Sequence, residues 1–225
     1  MKTQIKEKLA LGFRCIKMKI GAINFKTELA LLKSIRKEFS ATELTLRVDA
    51  NGAFHPKEAL EKLKCLSALE IHSIEQPIKQ GQLQEMANLC AKTPIPIALD
   101  EELIGVFSSE EKRNLIETIN PQYIILKPSL IGGFARSKEW INLATQNKVG
   151  WWMTSALESN IGLNAIAQFT YTLQNKMPQG LGTGGLFTNN FKSPLEVNNG
   201  NLHYSTNKKW DIDLAGGVLN IIGSS

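Results

Sequence analysis

Short apolar runs in this chain end in ionisable residues. Lys17 and Lys19 lie in Cys15-Ile16-Lys17-Met18-Lys19, Asp49 follows Leu44-Thr45-Leu46-Arg47-Val48, and Glu75 follows Ser73-Ile74. Asp100 follows Ile97-Ala98-Leu99, and Lys127 follows Ile124-Ile125-Leu126. Three carboxylates offer the hard oxygens that Mg²⁺ takes in octahedral geometry, with positions left for water or substrate. Lysines before and after the acids put bases on either side of such a site. That set of groups can remove a weakly acidic proton and hold the anion that results. The acids recur every 25 or 26 residues, about the pitch of one strand plus one helix. A single acid in such a place reads equally as a helix cap or a solvated loop residue, but capping requires no such period. Lys17 and Lys19, two apart, share one face of a strand, and crowding two ammonium groups beside a metal predicts a lowered pKa for one of them. Glu101 and Glu102 adjoin Asp100. Asp100 is preferred as the ligand because it directly follows the apolar run.

Helices and strands must alternate to deliver these groups to one end of one sheet. Leu29, Leu32, Ile35 and Phe39 predict a helix over Phe25 to Phe39, and Pro56 to Leu69 opens with proline at a first-turn position. Gln82 to Ala91, Phe134 to Gln146 and Asn160 to Leu173 have the same period, and Ser108 with Glu111 makes a capping box before Leu115 and Ile119. Between them lie the five runs above, Gly150-Trp151-Trp152-Met153 and a segment near Gln179-Gly180-Leu181. The strands do not alternate apolar with polar residues, as expected where helices cover the sheet. A βαβα rhythm with reactive residues at strand C-termini predicts an α/β fold, a TIM-type (β/α) barrel with its site at that face. A doubly wound open sheet is the alternative, but no GxGxxG follows a strand.

A barrel needs eight strands, and seven are legible. A helix-like segment from Thr3 to Gly12 leads straight into Cys15, so the first strand is expected to precede Met1. The chain then reads as an incomplete version of a longer protein. Residues 1–196 are assigned to the barrel as strands 2–8, and 197–225 to a C-terminal tail packed on the barrel or on an absent domain.

The 225 residues suit one large domain, with 43% apolar and 21% charged residues and a net charge of +5. The lysines are spread over amphipathic helices and no basic block is interleaved with aromatics, which argues against a nucleic-acid partner. No stretch reaches the length of a membrane span. Cys15, Cys65 and Cys90 are odd in number and far apart, so neither a disulfide framework nor a CxxC metal site is expected, and a cytoplasmic setting fits. His55 and His203 read as surface residues, His72 lies away from the catalytic end, and Trp151 and Trp152 read as packing. Oligomeric state is not legible.

Lys17-Met18-Lys19, Asp49-Ala50-Asn51-Gly52, Ile74-Glu75-Gln76-Pro77, Ala98-Leu99-Asp100-Glu101 and Leu126-Lys127-Pro128 with Gly132-Gly133 resemble the motif set of the enolase superfamily, muconate-lactonizing subgroup. Within it, the chain is most similar to the o-succinylbenzoate synthases of menaquinone biosynthesis, from Phe13 to about Phe187. The resemblance implies Mg²⁺, or Mn²⁺ in its place, on Asp49, Glu75 and Asp100. It implies Lys19 as the base that removes a proton α to a carboxylate, Lys17 beside it, and Lys127 stabilising the enolate from the opposite face. The implied substrate is a small carboxylate, and the implied reaction is dehydration of 2-succinyl-6-hydroxy-2,4-cyclohexadiene-1-carboxylate to o-succinylbenzoate. An N-succinylamino acid racemase or another cycloisomerase remains the alternative. Ser155, Gly182 and Gly184 follow the last two strands, where backbone amides either approach a substrate carboxylate or simply turn the chain. The Asp-x-Asp usual in dipeptide epimerases of the subgroup is replaced by Gly182-Thr183-Gly184. Family members also carry an N-terminal α+β capping domain that this chain lacks, so a catalytically incompetent fragment is the second alternative.

Overall fold

The computed structural model describes residues 2–182, 187 and 190–211. Strands β1 (Cys15–Lys19), β2 (Thr45–Asp49), β3 (Ser73–Glu75), β4 (Ile97–Leu99), β5 (Tyr123–Leu126) and β6 (Gly150–Met153) form one parallel sheet in chain order. Helices α1 (Lys2–Ala10), α2 (Phe25–Glu38), α3 (Pro56–Ser67), α4 (Leu83–Lys92), α5 (Ser109–Ile119), α6 (Gly133–Gln146) and α7 (Asn160–Thr172) alternate with them. Local chemistry sets the helix starts. The Asn24 side chain accepts from the Lys26 N–H, His55 accepts from Lys57 ahead of Pro56, and Ser108 with Glu111 closes a reciprocal capping box.

Two cores result. Leu46, Val48, Ile74, Ile97 and Leu99 turn outward from the sheet and pack on helix residues such as Leu32, Ile35, Leu63 and Met86, all of them buried. Inside the curl of the sheet, Ala98, Ile125 and Trp152 pack with Tyr123 and Met177 and floor the lumen at its N-terminal end. Burial on both faces explains the continuous apolar runs.

The architecture is the expected parallel (β/α) sheet of a barrel, with six strands among the described residues. The seventh expected strand is reduced to a single parallel bridge between Thr154 and Gly180. Around the start of the expected packed tail, the chain builds an antiparallel hairpin, β7 (Leu195–Asn198) with β8 (Asn201–Tyr204), and the division drawn at residue 196 falls inside β7. The signal was present in the sequence. Leu195, Val197, Leu202 and Tyr204 alternate around Asn199-Gly200, a type I′ turn dipeptide, and both turn residues have positive φ (48° and 71°). The hairpin tip is pinned to the loop before β1: the Gly200 N–H donates to Leu11 O at 2.7 Å. A Cβ on Gly12 would lie 2.4 Å from the Asn199 backbone.

Candidate active site

The strand registers bring the predicted residues together. Lys19 is level with Asp49 across β1 and β2, and Asp49 is level with Glu75 across β2 and β3. Asp100 and Lys127 each directly follow the last residue of their strands. With a period of two, Cys15, Lys17 and Lys19 share the inward face of β1, and Arg47 and Asp49 that of β2. All five line a cavity of about 1180 Å³ that fills the open side of the lumen, and Lys127, Trp152, Ser155 and Gly182 also border it.

Asp49, Glu75 and Asp100 are 1%, 2% and 2% exposed, a depth at which carboxylates require countercharge. Lysines supply it here. The Lys17 ammonium lies between two acids, 3.0 Å from Asp49 Oδ2 and 2.9 Å from Glu75 Oε2, and Lys127 bonds Asp100 Oδ2. Lys19 donates to Asn51 Oδ1 at 2.5 Å and sits 3.5 Å from Asp49 Oδ2. Its side chain is 70% exposed to the cavity, against 37% for Lys17 and 18% for Lys127, so it is the lysine free to meet a substrate.

The charges do not balance as the lysine crowding alone predicts. Lys17 is held above its ordinary value: burial pulls it down, but Glu75 and Asp49 outweigh that. The lowering expected of one of the two lysines beside a metal does not fall on Lys17, whose neighbouring acids outweigh its burial. Burial pushes Glu75 up to about 8, with the Asp100 hydrogen bond and the Asp49 and Asp100 charges adding to it and Lys17 opposing. Asp49 moves down, because Lys17, the Asn51 N–H and Lys19 together outweigh its burial.

No group of three or more His, Cys, Asp or Glu side chains converges in metal-binding fashion among the described residues, because ammonium groups stand between the acids. The residues nevertheless fit a hard divalent cation. Three buried carboxyls stand on adjacent strands, and burial, with the Asp100 hydrogen bond and the Asp49 and Asp100 charges adding to it, pushes Glu75 to about 8, a cost that added positive charge relieves.

Sequence reasoning passed over several supporting groups. Asn51, at φ 43°, receives Lys19 on its oxygen while its Nδ2 donates to Glu101 Oε1 at 2.9 Å. Buried Gln76 accepts from the Asp100 N–H and donates to Glu102, whose other oxygen accepts from the Gly81 N–H. Their signal was position, since Asn51 and Gln76 each sit just beyond a ligand candidate. Ser155 and Gly182 meet at the rim, but the Gly182 N–H already donates to Ser155 Oγ at 3.1 Å. Gly184 lies outside the described residues.

Comparison with known proteins places this arrangement. The family model for the enolase C-terminal domain-like fold matches residues 1–208. The o-succinylbenzoate synthase of Desulfotalea psychrophila is 57% identical over 205 residues, covering 91% of this chain and 55% of that protein. The crystal structure of MenC from the same organism superposes with a TM-score of 0.86 at 56% identity, covering 89% of this chain and 55% of that one. The N-succinylamino acid racemase of Thermus thermophilus is 34% identical over 158 residues, 70% of this chain and 40% of that protein. The chain thus spans about half the length of the relatives it matches. With its motif set, its parallel sheet and a family match running through nearly all of the described residues, this chain belongs to the enolase superfamily through the C-terminal, barrel-forming domain.

Proposed function

We propose that this chain is the catalytic barrel of an o-succinylbenzoate synthase, a carbon–oxygen lyase that dehydrates 2-succinyl-6-hydroxy-2,4-cyclohexadiene-1-carboxylate. The observation that carries the reading is a triad of buried acids flanked by lysines on opposing walls, in a chain 57% identical to a synthase of that name. A proton α to a carboxylate is very weakly acidic, so the dianion left by its removal must be stabilised by positive charge. Asp49, Glu75 and Asp100 would hold Mg²⁺, or Mn²⁺, which when bound supplies that charge as a Lewis acid.

The remaining work falls to side chains. Lys19, exposed to the cavity and steadied by Asn51, takes the α-proton. Lys17 anchors Asp49 and Glu75 and holds a fixed positive charge at the base of the site. Lys127, on the far wall, faces the developing anion from the other side. The electron pair of the broken C–H bond then forms the ring double bond as the C–O bond to the β-hydroxyl breaks. Water leaves with the proton that the new Lys19 ammonium carries, and the ring becomes aromatic.

A second reading has its own support. Lysines on β1 and after β5 face each other across the lumen, which is what racemisation at one carbon requires, and the Thermus thermophilus relative bears a racemase name. A paired assay separates them, run on residues 1–225 co-expressed with the N-terminal region of the Desulfotalea psychrophila synthase. Loss of diene absorbance without solvent-deuterium exchange into N-succinyl amino acids supports the synthase, and the reverse pattern overturns it.

A further inference from the structure

Two further acids follow Asp100, and the fold treats them differently. Glu102 is buried with both oxygens met: Gln76 Nε2 donates to Oε2 at 2.9 Å, and the Gly81 N–H donates to Oε1 at 2.8 Å. Glu101 opens the single 3₁₀ turn Glu101–Leu103 and has one oxygen met, Asn51 Nδ2 donating to Oε1 at 2.9 Å. Its Oε2 is buried with no hydrogen-bond partner among the described residues. A buried, half-met carboxylate costs stability, so packing accounts for Glu102 but not for Glu101.

Asn51 joins Glu101 to the base. Its backbone N–H donates to Asp49 Oδ1 at 3.0 Å, and its side-chain oxygen accepts from Lys19 at 2.5 Å. An amide offers an acceptor on one side and donors on the other, whereas a carboxylate only accepts. Glu101 therefore takes the Nδ2 side and leaves the oxygen for Lys19. With the amide turned over, donors would face the ammonium and an oxygen would face the carboxylate, so both contacts would repel. The other acceptor near Lys19 is Asp49 Oδ2 at 3.5 Å, on an acid that is 1% exposed. Asn51 and Asp49 thus compete for one ammonium, and the orientation of one amide decides which holds it.

We propose that Glu101 is a positioning residue for Lys19: through Asn51 it keeps the Lys19 nitrogen off Asp49 and presented to the cavity. The proposal rests on the reading of Lys19 as the base. An amide oxygen accepts from amine and ammonium alike, so Lys19 keeps its place while it takes the proton.

The test uses residues 1–225 co-expressed with the N-terminal region of the Desulfotalea psychrophila synthase. Glu101→Ala should lower kcat by about tenfold or more, as misplacing a reacting group does, with KM within about twofold. Asn51→Ala should do the same, and the double variant should be no slower than Asn51→Ala alone, because the two residues act in series. Glu101→Gln should lose less than Glu101→Ala, since its amide still accepts from Asn51 in one of two orientations. Crystals of the Glu101→Ala complex should show Lys19 moved from Asn51 onto Asp49. Lys19 still on Asn51 overturns the positioning, and losses that multiply in the double variant overturn the route through Asn51. A Gln variant as slow as the Ala variant, or one whose Mg²⁺ affinity by calorimetry falls as it would on loss of a ligand, assigns Glu101 a role through its charge and also overturns the proposal. Should the Ala variant not fold, the same cycle run with Glu101→Gln decides. An unsubstituted complex without turnover counts against the reading of the base, and the position of Lys19 in the crystals still decides the role of Glu101.

Discussion

At the scale of single residues, the site is a contest between buried acids for positive charge. Lys17 serves two acids, so its removal strands both. Lys17→Met should destabilise the metal-free chain by about 1–3 kcal/mol, below the usual cost of breaking a fully buried pair because the lysine is partly solvated. Millimolar Mg²⁺ should recover most of that loss, a pattern that urea denaturation with and without the metal would reveal. No recovery would mean that the acids do not hold the ion. Lys19 behaves differently, since its ammonium contacts the acids only at their margin. Lys19→Ala in the complemented enzyme should cut α-proton exchange by roughly 10²–10⁴-fold, the range for a lost general base. Its Mg²⁺ affinity, measured by calorimetry, should barely change. Exchange that survived the substitution would remove Lys19 from the role of base.

At the scale of elements, glycine pairs and stacked rings decide what the helices and strands leave open. Gly12, at φ 90°, lets the loop before β1 cross the hairpin tip at backbone contact. Gly12→Ala should therefore loosen the hairpin, with faster amide exchange over 195–204 than over β2 to β5 as the readout. On the lumen floor, His72 stacks on Tyr123 with ring centres 5.3 Å apart. Burial, with the Arg47 charge adding, holds its imidazole below the ordinary value. The folded state thus binds its proton less readily than the unfolded one, and stability is lost as pH falls through about 6.5. His72→Phe should flatten that part of the stability profile between pH 7 and 5; an unchanged slope would place the titration elsewhere. Most of these elements were legible because period and capping report burial directly, as with Leu32 and Ile35 on α2 or Ser108 and Glu111 on α5. The ligand candidates were legible because a parallel barrel repeats its unit. The protonation balance was not, since Lys17 owes its raised value to acids 32 and 58 residues away in sequence. The bond that Arg47 makes across the lumen was hidden for the same reason, its partner Pro178 lying 131 residues further on.

At the scale of the whole molecule, chemistry and enclosure are separable. The sheet supplies the acids and lysines, but the lumen is open along one side and the loops at its catalytic end expose Ile23, Leu130 and Leu157 (58%, 40% and 67%). Apolar side chains ringing a polar site are a surface waiting for cover. Without cover, water enters, the effective dielectric rises, and the fixed charges of Lys17 and Lys127 lose much of their leverage on a developing anion. Strand edges that pair with no strand among the described residues add a hazard of association. Residues 1–225 alone should therefore bind Mg²⁺ weakly and turn over the diene at under about 1% of the complemented rate, as a loss of a few kcal/mol in transition-state stabilisation requires. Absorbance assays on the two preparations at matched concentration check this. Turnover by the lone chain at a rate comparable to the complex would mean that the half-barrel closes its own site and that the exposed ring at its catalytic face has some other use.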